Sequence, residues 1–118
     1  MGSFRTALRY FFTAGAIAVI VLSLLPGRDM PSLGVSDKIE HVIAYAVLGL
    51  AGGLAFPTRR LTILLLALLP TLGIALEIAQ LAVPGRSAEV ADALADSIGT
   101  AITLLPFLFA RLSSDGTT

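Results

Sequence analysis

The sequence predicts an all-α protein, a polytopic transmembrane four-helix bundle. The chain is too apolar for a soluble domain, its charges punctuate long uncharged runs, and its basic residues favour one side when four spans are drawn. Of 118 residues, 56% are hydrophobic and 14% charged, with a mean hydropathy of +0.91. A soluble domain carries about a quarter charged residues to keep its surface wet. Here the apolar material would overfill any core the chain could enclose. Lipid is therefore the solvent for most of it, and one membrane domain over residues 1–118 is expected.

The first span, 8–26, rests on 18 uncharged residues between Arg9 and Arg28, stopped by Pro26-Gly27. Arg5 and Arg9 before an apolar run also suit a signal peptide, but "LSLLPGRDM" offers no small-x-small cleavage site, so an uncleaved span is expected. The second, 38–56, covers the 18 uncharged residues between Glu40 and Arg59 and stops at Phe56-Pro57. The third, 61–83, runs from Leu61 past Glu77. The fourth, 88–110, is the shortest run, with 14 uncharged residues between Asp96 and Arg111. It is long enough only if the helix starts near Ser87, which places Asp92 and Asp96 in its outer turns. Three spans plus an interfacial segment is the alternative. Pro70 and Pro106 fall inside the last two spans, where kinks are tolerated if neighbours satisfy the freed carbonyls. Small residues at Gly49-Leu50-Ala51-Gly52-Gly53 and Gly99-Thr100-Ala101 allow helices to approach closely.

Zero net charge gives no footprint for nucleic acid, and the absence of cysteine removes thiolate metal sites, redox motifs and disulfides. With both termini inside, Arg5, Arg9, Arg59, Arg60 and Arg111 are cytoplasmic and Arg28, Lys38 and Arg86 external, satisfying the positive-inside rule five to three. Asp37, Lys38, Glu40, His41, Glu77, Gln80, Arg86, Glu89, Asp92 and Asp96 all gather at the outer end.

Asp37, His41 and Tyr45 recur every four residues, so one helical face carries a carboxylate, an imidazole and a phenol. That face is expected to turn inward onto Glu77 and Arg86. If the third helix exits near Val83, Glu77 lies about 9 Å below its end, where an unpaired carboxylate is costly. Gln80 shares its face. Asp92 and Asp96 share another by their i, i+4 spacing. Ser36 or Asp37 caps the second helix, Tyr45 hydrogen-bonds inward, Lys38 snorkels or meets lipid phosphate, and Glu89 is solvated. Pro84-Gly85-Arg86-Ser87 reads as a tight turn, with Arg86 able to fork onto a carboxylate or phosphate.

"SDKIEHVIAYAVLG" and "LEIAQLAVPGRSAEVADALADSIG" resemble the VanZ-like family of small bacterial membrane proteins. That family's pattern runs D-K-x-x-H-x-x-x-Y, then E-x-x-Q, then P-G-R-x-x-x-x-x-D-x-x-x-N-x-x-G. Asp37, Lys38, His41, Tyr45, Glu77, Gln80, Pro84, Gly85, Arg86, Asp92 and Gly99 fall on it in order. Asp96 stands where the family often has Asn, and Thr103 where a second glycine is common. The resemblance implies a bacterial cytoplasmic (inner) membrane protein. Its founding member is associated with resistance to the glycopeptide teicoplanin.

The expected function is binding, or acting on, an amphiphilic envelope ligand: a lipid, a lipid-linked wall precursor or an acylated glycopeptide. Asp37, Lys38, His41, Tyr45, Glu77, Gln80, Arg86, Asp92 and Asp96 are the expected ligand-binding residues. In an enzyme reading His41, Glu77 and Asp92 are the catalytic candidates, with His41 as general base. No resident metal or cofactor is assigned, although that reading allows His41, Glu77, Asp92 and Asp96 to hold a hard divalent cation. A structural or partner-binding module, whose cluster is only internal glue, is the third reading, and a homo-oligomer is compatible with all of them.

Overall fold

The computed structural model describes residues 2–26, 34 and 36–115. The expectations placed on Gly27 and Arg28 fall outside them. Four helices follow in order, α1 (Gly2–Leu24), α2 (Asp37–Ala55), α3 (Arg59–Gln80) and α4 (Val90–Asp115), with no strand among the described residues. All four are long and apolar enough to cross a membrane. The fourth segment is thus a full helix rather than an interfacial piece, and α3 and α4 continue through Pro70 and Pro106.

Capping sets the entries to the middle helices. Ser36 Oγ accepts the N–H of Ile39 (3.3 Å) and Thr58 Oγ1 that of Leu61 (3.1 Å). Ser36 is therefore the cap of α2, and Asp37 occupies the first helical position, where its carboxylate meets the positive end of the dipole.

The helices pack inside out relative to a soluble bundle. Ile39, Ile43, Val47, Leu50 and Leu54 form an exposed stripe on α2, and Leu94, Ile98, Ile102 and Phe109 one on α4. Buried positions include Ala51, Thr62, Ala95, Asp96 and Thr100 beside a modest apolar cluster of Tyr45, Leu48, Leu65, Leu69 and Leu104. Large aliphatic residues outside and small or polar ones within suit helices solvated by lipid. α2 against α4 is the most extensive interface, followed by α3 on α4, while α1 leans on α2 and, more lightly, α3. Where the backbones of α2 and α4 cross, a Cβ on Gly99 would lie 2.3 Å from the carbonyl oxygen of Val42. Thr103, bulkier than the glycine expected there, is accommodated because Gly49 faces it.

The ends of α1 and α2 carry no basic residue of their own in the last turn, so cations from other helices reach their orphan carbonyls. Arg9 Nε donates to Ala55 O (3.1 Å), its guanidinium over the Phe56 ring. Arg111 donates to Gly53 O (2.6 Å) and to buried Thr62 Oγ1 (2.7 Å). The same device recurs at the opposite end of the bundle.

Candidate functional site

Up-and-down topology brings the C-termini of α1 and α3 and the N-termini of α2 and α4 to one polar end. α3 stops at Gln80 rather than near Val83, because the chain turns at once through Leu81–Gly85, with Gly85 at φ +73°. Glu77 is therefore about 4.5 Å from its helix end, not 9 Å, yet it remains buried. Its Oε2 accepts the N–H of Glu89 (2.8 Å), tying the α3–α4 connection to α3. The hydrogen-bond partner of Glu77 is thus a backbone N–H of the α3–α4 connection rather than a side chain of the α2 face expected to turn toward it.

Arg86 and Gln80 turn toward α1. Arg86 Nε donates to Leu25 O (2.8 Å) and its Nη2 to Leu22 O, while Gln80 Nε2 donates to Ser23 O (3.1 Å). The fork expected to reach a carboxylate or phosphate thus caps the end of α1. Lys38 corrects a second expectation: it bridges Glu89 and Asp92 (3.0 Å to Asp92 Oδ1) rather than snorkelling to lipid. Glu89 is accordingly ion-paired, though still half exposed.

His41 sits at the centre. Its Nδ1 is 2.6 Å from Asp96 Oδ1 across the α2–α4 interface. Its Nε2 faces Asp37 Oδ2 at 3.9 Å and Asp92 Oδ2 at 4.0 Å. Asp96 is 1% exposed and lies behind the ring, in space that Gly73 of α3 leaves open: a Cβ there would be 2.4 Å from Asp96 Oδ2. The N-termini of α2 and α4 both point at this group, so their dipoles offset part of the carboxylate repulsion. Tyr45, expected to turn inward, is buried, with its ring in the apolar cluster.

Two concavities flank these side chains. A cavity of about 340 Å³ is lined by Asp37, Lys38, His41, Gln80, Gly85, Arg86, Ser87, Glu89 and Asp92. A mainly apolar groove of about 430 Å³ runs between α3 and α4, lined by Ile74, Glu77, Ile78, Leu81, Ala88, Glu89, Val90, Ala93, Leu94 and Ser97. Glu89 lines both. Of the residues singled out in the sequence, Asp37, Lys38, His41, Gln80, Arg86 and Asp92 meet in the cavity. Asp96 stands behind it, Glu77 belongs to the groove, and Tyr45 lies in the core. Glu89, expected at this end but as a solvated residue, lines both concavities, and Gly73 was missed. An interior helical glycine costs stability unless something approaches closely, which was the available signal for Gly73.

The arrangement can present a fixed imidazole nitrogen and several carboxylates to a polar group, beside a trough for hydrocarbon. A family model described as VanZ/LLP1 matches residues 3–111, nearly the whole chain, and the chain belongs to that family. No curated protein and no solved structure was found to match it.

Proposed function

We propose that this VanZ/LLP1-family membrane protein binds an amphiphilic envelope molecule, with the polar head in the cavity around His41 and the hydrocarbon chain in the α3–α4 groove. One observation carries the reading: the polar cavity and the apolar groove adjoin, with Glu89 on the wall of each. A ligand with only a head or only a tail would use half of this surface. Membrane lipids, lipid-linked wall precursors and acylated glycopeptides such as teicoplanin share the required chemistry, and the last extends the role to glycopeptide resistance. The excess of arginine at the opposite end supports cytoplasmic termini in the bacterial inner membrane, which opens the cavity to the outer leaflet.

Native mass spectrometry of the gently extracted protein tests this beside His41→Ala, which empties the head site, and Leu94→Trp, which fills the groove. A discrete lipid-sized adduct on the parent, lost from both folded variants, is expected. Bare protein in all three, under extraction that leaves known lipid binders loaded, refutes it.

The Asp96–His41 contact favours a second reading. A histidine held at Nδ1 by a buried carboxylate, with Nε2 turned to a cavity, is placed as a general base acting on the bound head group. Turnover of a lipid substrate that stops in Asp96→Asn, while adduct formation persists, would distinguish an enzyme from a binder.

A further inference from the structure

His41 Nε2, Asp37 and Asp92 offer three ligand atoms within 4.8 Å of one another. The separations of 3.9 and 4.0 Å from Nε2 to the two carboxylates are too long for hydrogen bonds. Ligands at about 2.1 Å around a tetrahedral ion stand about 3.4 Å apart, so the two separations from Nε2 need to close by roughly half an ångström, and no pair of the three ligand atoms by more than about 1.4 Å, to seat an ion among them. Asp92 supplies an independent pointer. It is 3% exposed and lines the cavity, and its Oδ1 is ion-paired with Lys38 Nζ at 3.0 Å but accepts no hydrogen bond. A buried, incompletely satisfied carboxylate oxygen calls for a ligand or ion. The third feature is what stands behind the histidine, because metal-ligating imidazoles donate their other nitrogen to a carboxylate that fixes ring and tautomer. Asp96 is in that position at 2.6 Å.

We propose that Asp37, His41 and Asp92 hold a divalent transition-metal cation of the zinc or manganese class, with Asp96 as the positioning residue for His41. One imidazole and two carboxylates suit those ions and leave coordination positions open toward the cavity. This set differs from the one the sequence allowed: Asp37 replaces Glu77, and Asp96 moves behind the ligands. The inference extends the proposed function, because an ion would let an anionic head group bind among acidic walls, but it stands on the side chains alone.

The test is calorimetric titration of chelator-treated, tag-free protein in lipid-free detergent with ZnCl₂ and MnCl₂, with elemental analysis of the isolated complex. One ion per chain is expected, with binding weakened at least tenfold in Asp37→Asn and in Asp92→Asn. Asp96→Asn should weaken it about 10- to 100-fold. Asp37 is half exposed, so Asp37→Asn keeps the fold and carries the test even if Asp92→Asn does not. No saturable binding to the parent, or binding indifferent to Asp37→Asn, overturns the inference. Because the readout contains no lipid, these outcomes are independent of whether an amphiphile adduct is found.

Discussion

Gly99→Ala should damage the site from a distance. The added methyl would lie 2.3 Å from Val42 O, 3.0 Å from Ala46 N and 3.1 Å from Val42 C, all of them backbone atoms of α2 that cannot rotate aside. Since Cβ atoms are essentially never found closer than 3.0 Å to another heavy atom, α2 and α4 must separate by at least about 0.7 Å. A gap of that size forfeits roughly a quarter to a half of each dispersion contact along the interface, and overpacking of this kind costs about 1–3 kcal/mol. Val42 adjoins His41, and Asp96 lies almost one turn before Gly99. The same displacement stretches the 2.6 Å His41–Asp96 contact to about 3.3 Å, beyond a good hydrogen bond. Thermal unfolding in detergent, paired with ligand or ion binding, is the assay. Gly15→Ala is the control, because its methyl meets only the rotatable Leu48 Cδ2 at 3.0 Å. Gly99→Ala should lose both stability and His41-dependent binding, and Gly15→Ala neither. A Gly99→Ala protein with parental melting and intact binding would refute the coupling of crossing to site.

Three further outcomes are expected. Arg86→Ala should expose the last carbonyls of α1 at about 1–3 kcal/mol, seen as faster amide exchange around Leu22–Leu25; Arg86→Lys should not restore protection, because a single ammonium lacks the fork. Glu77→Gln keeps an acceptor for the Glu89 N–H and should cost less than about 1 kcal/mol in denaturation, whereas Glu77→Ala leaves that donor unpaired and should cost about 1–3 kcal/mol. Lys38→Gln removes the ammonium that stands at Asp92 and should raise affinity for added Zn²⁺ severalfold by calorimetry, where a fall in affinity would mean that the lysine organises the carboxylates.

The spans and the polar end were legible because both follow from one-dimensional facts: apolar run lengths, and charges placed at helix ends that alternate sides. Partner choice was not. Spacing set Asp37, His41 and Tyr45 on one face, but a face is wide enough for His41 to meet Asp96 while Tyr45 joins the leucine cluster. Arg86 looked like a free fork because no sequence pattern reveals that α1 ends beside it without a basic cap of its own. The depth of Glu77 was overestimated through a helix boundary misplaced by three residues, an ordinary error at helix ends. Neither the snorkelling expected of Lys38 nor the solvation expected of Glu89 anticipates their mutual contact, which spans 51 positions.

The central claim is that one amphiphile lies across cavity and groove. Photocrosslinking in native membranes tests it most directly, with a photoreactive residue at Leu94 in the groove and, separately, at Phe109, on the same exposed stripe but about 22 Å away toward the opposite end of α4. A defined lipid-linked or lipid adduct at Leu94 that disappears in His41→Ala, against an unselective mixture at Phe109 that does not change, is the expected result. The same mixture at both positions, indifferent to His41→Ala, would contradict the account.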